Sequence, residues 1–276
     1  MKALIQNLKN GLTTLEEIPV PIPQDNKLII KTSCSLVSKG TEKLLIDFGK
    51  ANFFNKAKMQ PDKVSMVIDK VKTDGLITTY ESVVNKLNKP IELGYCNVGK
   101  VISLGEGVED FKIGDRVVSN GPHAEIVSVN KNLVEKIPDT VSDEDAVFTV
   151  IGSIALQSIR LLKPNFGETI VVIGLGLVGL LVAELLKANG CVVIGYDFDK
   201  AKNKLAKEKG IDSFTPTNKE DAINYVINKT DGHGADGIII AASTKKDAIV
   251  NDAARMSRKK GKIVLVGVVD LDLSRA

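Results

Sequence analysis

The residues best placed to do chemistry begin with Gly174-Leu175-Gly176-Leu177-Val178-Gly179, a GxGxxG run. It follows the apolar stretch TIVVI (169–173) and opens LVGLLVAELLKANG (177–190). Strand, glycine turn and helix in that order are the context in which this motif holds a pyrophosphate. Gly174 permits the tight turn, Gly176 lets backbone approach the phosphates, and Gly179 lets the helix pack on its strand. Free N–H groups and the positive dipole end of the helix then face the charge. Asp197 ends the next apolar stretch, CVVIGYD, 18 residues after Gly179. A carboxylate there accepts hydrogen bonds from both adenosine ribose hydroxyls and repels a 2′-phosphate. One charge pair at ~4 Å and an effective dielectric of ~20 is worth about 4 kcal/mol. NAD is therefore the expected cofactor ahead of NADP, with Lys202 at the edge of the adenine pocket.

Other chemistry-bearing residues are sparse. Cys34, Cys96 and Cys191 are far apart with no CxxC, which argues against a disulfide framework and a four-cysteine structural zinc site. Cys96 and His123 are the pair that would have to meet at a metal, and two ligands seldom make a site. Cys96 otherwise reads as a small buried thiol and His123 as a loop residue beside Pro122. His233, in the polar turn TDGHGADG, reads as structural or solvated.

These residues must be positioned by two kinds of element. KALIQ, KLIIKTSCSLV, GKVISLG, DRVVS and AEIVSV are short, alternating or apolar strands separated by Gly, Pro, Asn and Asp. After them TIVVIG, CVVIGYD, DGIIIAAS and GKIVLVGVV alternate with polar-faced helices over 178–189, 199–209, 219–229 and 245–257, which implies a parallel sheet with crossover helices. The expected fold is α/β: a Rossmann-type sheet with helices on both faces and an N-terminal β-barrel. The boundary falls near Asp143–Ser153, giving units 1–146 and 147–276. Between early strands, residues 50–90 hold eight Lys against four acids. Val64, Val67, Ile68 and Val71 share one helical face and Val83, Val84 and Leu87 suggest a second helix, so this segment is a helical insertion, either a solvated cover on the barrel or a basic docking lid.

The 276 residues carry a net charge of +3, and only 5 of the 37 cations are Arg. Arg is the better bidentate reader of phosphates and bases, so no nucleic-acid partner is expected. The longest uncharged run, Thr169–Ala183, is interrupted by three glycines and is shorter than the ~18 apolar residues of a membrane span. No signal peptide is visible at MKALIQNLKN. A cytoplasmic protein without a membrane partner is the expectation.

With these motifs in place, the chain resembles the medium-chain dehydrogenase/reductase family, the zinc alcohol dehydrogenase-like proteins. GKVISLGEGVEDFKIGDRVV, HAEIVSVNKNLVEKIPD and GETIVVIGLGLVGLLVAELLKANG carry the resemblance, which covers both halves. It implies a GroES-like catalytic domain and a NAD-binding domain. It also implies that Ser153 contacts the nicotinamide, that Val178 packs near the cofactor, that Val266 and Gly267 lie beside the nicotinamide end, and that Thr41 relays the proton of the substrate alcohol. Gly40-Thr41-Glu42 and the insertion look like a bacterial subgroup often fused to a second dehydrogenase-like domain. The chain stops at VGVVDLDLSRA, where family members continue with a further strand and helices, so it reads as incomplete at its C-terminus.

The departures concern the metal. Where zinc members have Cys before their Gly-Ser/Thr-Asp, this chain has Lys39, preceded by Ser38; the zinc-binding His and its following Glu are replaced by Tyr95 and Cys96; the third ligand position is Thr149. Zinc is not expected. Tyr95 or Lys39 is then expected to serve as electrophile or acid, a desolvated Lys39 having a lowered pKa, with Thr41 as relay. The expected activity is NAD(H)-dependent hydride transfer on an alcohol/carbonyl pair or an enone. The rival reading is a non-catalytic dinucleotide-binding or assembly domain of a larger oxidoreductase. Expected partners are a small-molecule substrate, a fused or companion dehydrogenase-like domain and, as an open alternative, a second copy in a homodimer.

Overall fold

Apolar residues spaced by two along short segments can bury only one side of a pleat, and the first part of the chain is built that way. The computed structural model describes residues 1–244 and 248–269, and the chain divides into two units, Met1–Val150 and Ile151–Ala276. The first unit runs β1 (Lys2–Gln6), β2 (Thr13–Glu17), β3 (Lys27–Ser35), α1 (Lys39–Lys50), α2 (Phe53–Met59), α3 (Pro61–Asp74), α4 (Leu76–Asn88), β4 (Ile91–Glu92), β5 (Asn97–Leu104), β6 (Arg116–Ser119), β7 (Ile126–Asn130), β8 (Val134–Lys136) and α5 (Asp143–Ala146). The strands form two antiparallel sheets, β2-β1-β4 and β7-β3-β5-β6-β8. Leu28, Ile30, Val101, Val117, Val127 and Val129 point into one core with Ala3 and Ile5. The sheets are laced together at residues 123–124: Ala3 bridges Ala124, Leu4 N–H donates to the His123 carbonyl (2.9 Å), and His123 N–H donates to the Leu93 carbonyl (2.7 Å).

The helical segment is longer than the sequence suggests. It begins at Lys39, because Ser38 stands before α1 with its N–H held by the Glu42 carboxylate (2.7 Å). The two anticipated helices become four. Buried Lys56 ties α2 to the barrel by donating to the carbonyls of Lys9 (3.0 Å) and Gly49 (2.9 Å). At the other end of the unit, Asp143 opens α5. Its carboxylate accepts from Ser33 Oγ (2.6 Å) and from Arg116 (2.6 and 3.1 Å). These bonds, Ser33 first and Arg116 second, hold its carboxyl below the usual range.

The second unit begins within helix α6 (Thr149–Leu162) and alternates β9 (Thr169–Ile173), α7 (Leu177–Ala188), β10 (Val192–Tyr196), α8 (Lys200–Glu208), β11 (Asp212–Phe214), α9 (Lys219–Lys229), β12 (Ala235–Ile240), α10 (Ala248–Met256) and β13 (Ser257–Leu265). All five strands are parallel, in the order β11-β10-β9-β12-β13. Both faces are covered: Ile170, Val172, Val193 and Ile239 enter one core, while Val171, Ile173, Ile194, Ile238 and Ile240 enter the other. Doubly covered strands read as continuous apolar runs, as the inner strands β9, β10 and β12 largely do.

Three expectations need correction here. β11 has no apolar run to announce it. β13 starts inside the expected helix 245–257, at Ser257, and ends at Leu265 rather than Val269, because Val266 N–H and Gly267 N–H both turn to the Ile240 carbonyl (2.9 Å each). Residues 245–247 of that helix, and the terminal 270–276 on which the reading of an incomplete C-terminus falls, lie outside the described residues.

Candidate functional site

In the second unit, β9 delivers the chain into the glycine turn at the sheet's switch point, beside β12, where ligands of such sheets bind. Gly174 takes φ +91°, and a Cβ on Gly179 would lie 1.8 Å from the Gly174 carbonyl oxygen, so the helix approaches its strand as closely as only glycine permits. Gly176 caps α7 with no side-chain hydrogen bond, and a Cβ there would meet nothing within 4 Å. The side-chain position of Gly176 is therefore open, and the first N–H groups of α7 have no capping side chain. Val178, in the first turn of α7, is half-buried against one of the two cores.

Asp197 follows β10. Its Oδ2 accepts from Leu175 N–H in the glycine turn (3.0 Å) and from Lys202 Nζ (3.0 Å), and its Oδ1 accepts from Asp199 N–H (2.9 Å). The carboxylate is thus tied to the pyrophosphate turn and partly neutralised by a half-exposed lysine. Asn203 holds this arrangement and was not singled out from sequence. It is 3% exposed; its Nδ2 donates to the Asp197 and Asp199 carbonyls (2.5 and 3.1 Å) and to Thr215 Oγ1 (2.9 Å), and its Oδ1 accepts from Asp197 N–H (3.2 Å). An Asn inside a helix, six residues past the acid, was the available signal, since Asn disfavours helix interiors. Ser153 is an exposed residue of α6, and Val266 and Gly267 follow β13. A Cβ on Gly267 would lie 2.0 Å from the Ala242 carbonyl oxygen. These residues fit a bound dinucleotide: the α7 N–H groups for the pyrophosphate, Asp197 for the adenosine ribose.

In the first unit, the Tyr95 hydroxyl donates to Thr41 Oγ1 (3.2 Å). Tyr95 is half-buried and Thr41 exposed, so the pair is reachable from solvent. Lys39 is exposed at the start of α1; the desolvated surroundings expected of a lysine acid are not found there. His123 is not the simple loop residue the sequence suggests. Its side chain is 9% exposed and that of Glu42 6%. Its Nε2 meets Glu42 Oε2 at 3.0 Å and its Nδ1 meets Ser35 Oγ at 2.8 Å. A carboxylate can only accept, so with Glu42 ionised Nε2 carries a proton, and in the neutral ring Nδ1 accepts from Ser35. No local sequence signal marks this cluster, whose members are 81 and 88 residues apart.

The zinc question turns on these donors. The resemblance puts Lys39, Tyr95 and Thr149 where zinc members carry ligands, and an ammonium, a phenol and an aliphatic hydroxyl are poor partners for an ion that favours thiolate, imidazole and carboxylate. Cys96 is fully buried, while both ring nitrogens of His123 and both oxygens of Glu42 are already engaged. Among the described residues no three His, Cys, Asp or Glu converge. The donor set does not fit zinc.

The fold thus combines a unit of two antiparallel sheets with a parallel α/β unit whose glycine turn suits a dinucleotide. Residues 178–274 match the family model described as zinc-binding dehydrogenase. A sorbitol dehydrogenase of Halalkalibacterium halodurans is 30% identical over 212 residues, 65% of this chain and 61% of that protein. Two solved structures share the fold. For 2R,3R-butanediol dehydrogenase from Bacillus subtilis the TM-score is 0.75, at 22% identity over 100% of this chain and 79% of that one. For a mycobacterial protein complexed with NADPH it is 0.71, at 24% identity over 100% and 76%. The chain is thus similar in sequence to zinc-type dehydrogenases over its second unit, and it shares the fold of such proteins over its length. Its alignments span about 60% of the length of the curated relatives first matched.

Proposed function

We propose that this chain is a NAD(H)-dependent oxidoreductase that interconverts an alcohol and a carbonyl, or reduces an enone, without zinc. The observation that carries the cofactor reading is the Asp197 carboxylate, fixed by Leu175 N–H within the glycine turn. Bound there, the nicotinamide supplies or takes the hydride. The chain's own residues do the rest. The α7 N-terminus and Gly176 hold the pyrophosphate, Asp197 accepts the ribose hydroxyls, Lys202 edges the adenine, and Ser153, Val178, Val266 and Gly267 border the nicotinamide half. Tyr95 handles the substrate proton: its hydroxyl donates to the oxygen as a carbonyl is reduced, and Thr41 passes the proton between Tyr95 and solvent. Lys39, exposed beside Thr41, is the second candidate acid.

The names of the relatives support a small hydroxylated substrate. A cytoplasmic setting suits the reading, and no helix among the described residues is long and apolar enough to cross a membrane. A fused or companion dehydrogenase-like domain and a homodimer belong to the same proposal.

The test is NADH fluorescence titration followed by turnover across an aldehyde, ketone and enone panel. Binding with turnover supports the enzyme. Binding without turnover in the protein at its full natural length would leave the rival reading, a dinucleotide-binding assembly domain.

A further inference from the structure

Besides Ser35, the His123 ring touches the Glu42 carboxylate and the backbone of Gly94. The first contact is the 3.0 Å bond from Nε2. The second is steric. Gly94 takes φ +94°, and a Cβ there would lie 2.6–2.7 Å from ring atoms Cδ2, Cγ and Nε2, so the imidazole lies against a backbone that only glycine leaves open. Glu42 and Gly94 are each one residue from a member of the hydroxyl pair: Thr41 precedes Glu42 and Tyr95 follows Gly94. The imidazole therefore lies between the chain neighbours of Thr41 and Tyr95.

The wedge itself is anchored. His123 N–H is held by the Leu93 carbonyl (2.7 Å) and the His123 carbonyl by Leu4 N–H (2.9 Å). Nδ1 is held by Ser35 Oγ. On the far side, Glu42 Oε1 closes the first turn of α1 by accepting from Ser38 N–H (2.7 Å). A buried polar group with all its partners satisfied rigidifies what it connects.

We propose that His123 is the positioning residue of the Thr41–Tyr95 pair, with Glu42 as its lever on α1 and Gly94 as the space that admits it. This rests on the reading of that pair as the proton-handling group, and the experiment separates the two. Tyr95 is observed directly by 13Cζ-tyrosine NMR of the protein, its signal assigned by loss in Tyr95→Phe. His123→Ala should shift that signal, and His123→Gln, which keeps a donor and an acceptor, should return it towards the parent position. In turnover, His123→Ala should lower kcat about tenfold, the lower end of what loss of an orienting partner costs, with the KM for NADH unchanged and kcat restored within about threefold in His123→Gln. An unmoved Tyr95 signal with unchanged kcat in His123→Ala reduces His123 to packing and overturns the proposal. Should His123→Ala not fold, Glu42→Gln takes its place: a shifted Tyr95 signal supports the clamp, and an unmoved one overturns it. If the parent shows no turnover at all, the function reading fails, while the NMR signal still decides the clamp.

Discussion

On the proposed cofactor reading, replacing Asp197 by Asn removes the charge that faces the adenosine ribose and leaves the shape. The carboxylate is tied to Leu175 N–H and Asp199 N–H; an amide oxygen keeps one of those bonds, so the turn should persist. What is lost is electrostatic. A 2′-phosphate about 4 Å from a full carboxylate, at an effective dielectric near 20, meets a penalty of about 4 kcal/mol. Lys202 Nζ stands 3.0 Å from the same oxygen with its side chain 43% exposed, and solvent and that cation cancel part of the repulsion. Taking one-third to two-thirds as surviving gives about 1.4–2.8 kcal/mol, a ten- to hundredfold change in the NADH/NADPH affinity ratio. The assay is fluorescence titration of both dinucleotides against parent and Asp197→Asn, repeated at low and high salt because the repulsion is screened. Lys202→Ala should move the ratio the other way, towards NADH, by leaving the carboxylate unopposed. An NADH/NADPH ratio unchanged in Asp197→Asn would refute the ribose role of this residue, whatever happened to absolute affinity.

Other perturbations have equally defined outcomes. Gly179→Ala drives a Cβ to 1.8 Å from the Gly174 carbonyl oxygen; overpacking against backbone should cost about 3 kcal/mol and abolish NADH binding, read by thermal melting and titration. Asn203→Ala strips the Asp197 loop of its buried donors and should cost roughly 2–3 kcal/mol, with weaker NADH binding and an intact far-UV spectrum. Asp143 has a carboxyl pKa lowered in the fold by Ser33 and Arg116. Its contribution to stability is therefore present above the unfolded value near 3.9 and is lost as pH falls through the lower folded value. Asp143→Asn should flatten the acid limb of a pH–stability curve, and an identical acid limb in the variant would contradict the assignment.

Much of the second unit was legible because its physics is local. Strands buried on both faces announce themselves as apolar runs, and GxGxxG between a strand and a helix has few other meanings. β11 escaped because Asp212–Phe214 is three residues long. The start of β13 escaped because Ser257-Arg258-Lys259-Lys260 looks like a helix end. In the first unit the barrel strands were visible, but the start of α1 depended on Glu42 reaching back to Ser38. The His123 cluster was illegible for a different reason. Ser35, Glu42 and His123 come together only when two sheets close at residues 123–124, and no spacing rule encodes contacts more than 80 residues apart. The sequence singled out Tyr95 and Thr41 separately; the bond between them needed coordinates.

The central claim is that proton handling here depends on a tyrosine–threonine pair and not on zinc. Its most direct test measures turnover and zinc content together, on parent and Tyr95→Phe, before and after chelation. Activity should survive chelation, zinc should stay well below one per chain, and Tyr95→Phe should lower turnover roughly 10²–10⁴-fold, the range attributed to a general acid. Activity that rises and falls with stoichiometric zinc while Tyr95→Phe turns over at the parent rate would contradict it.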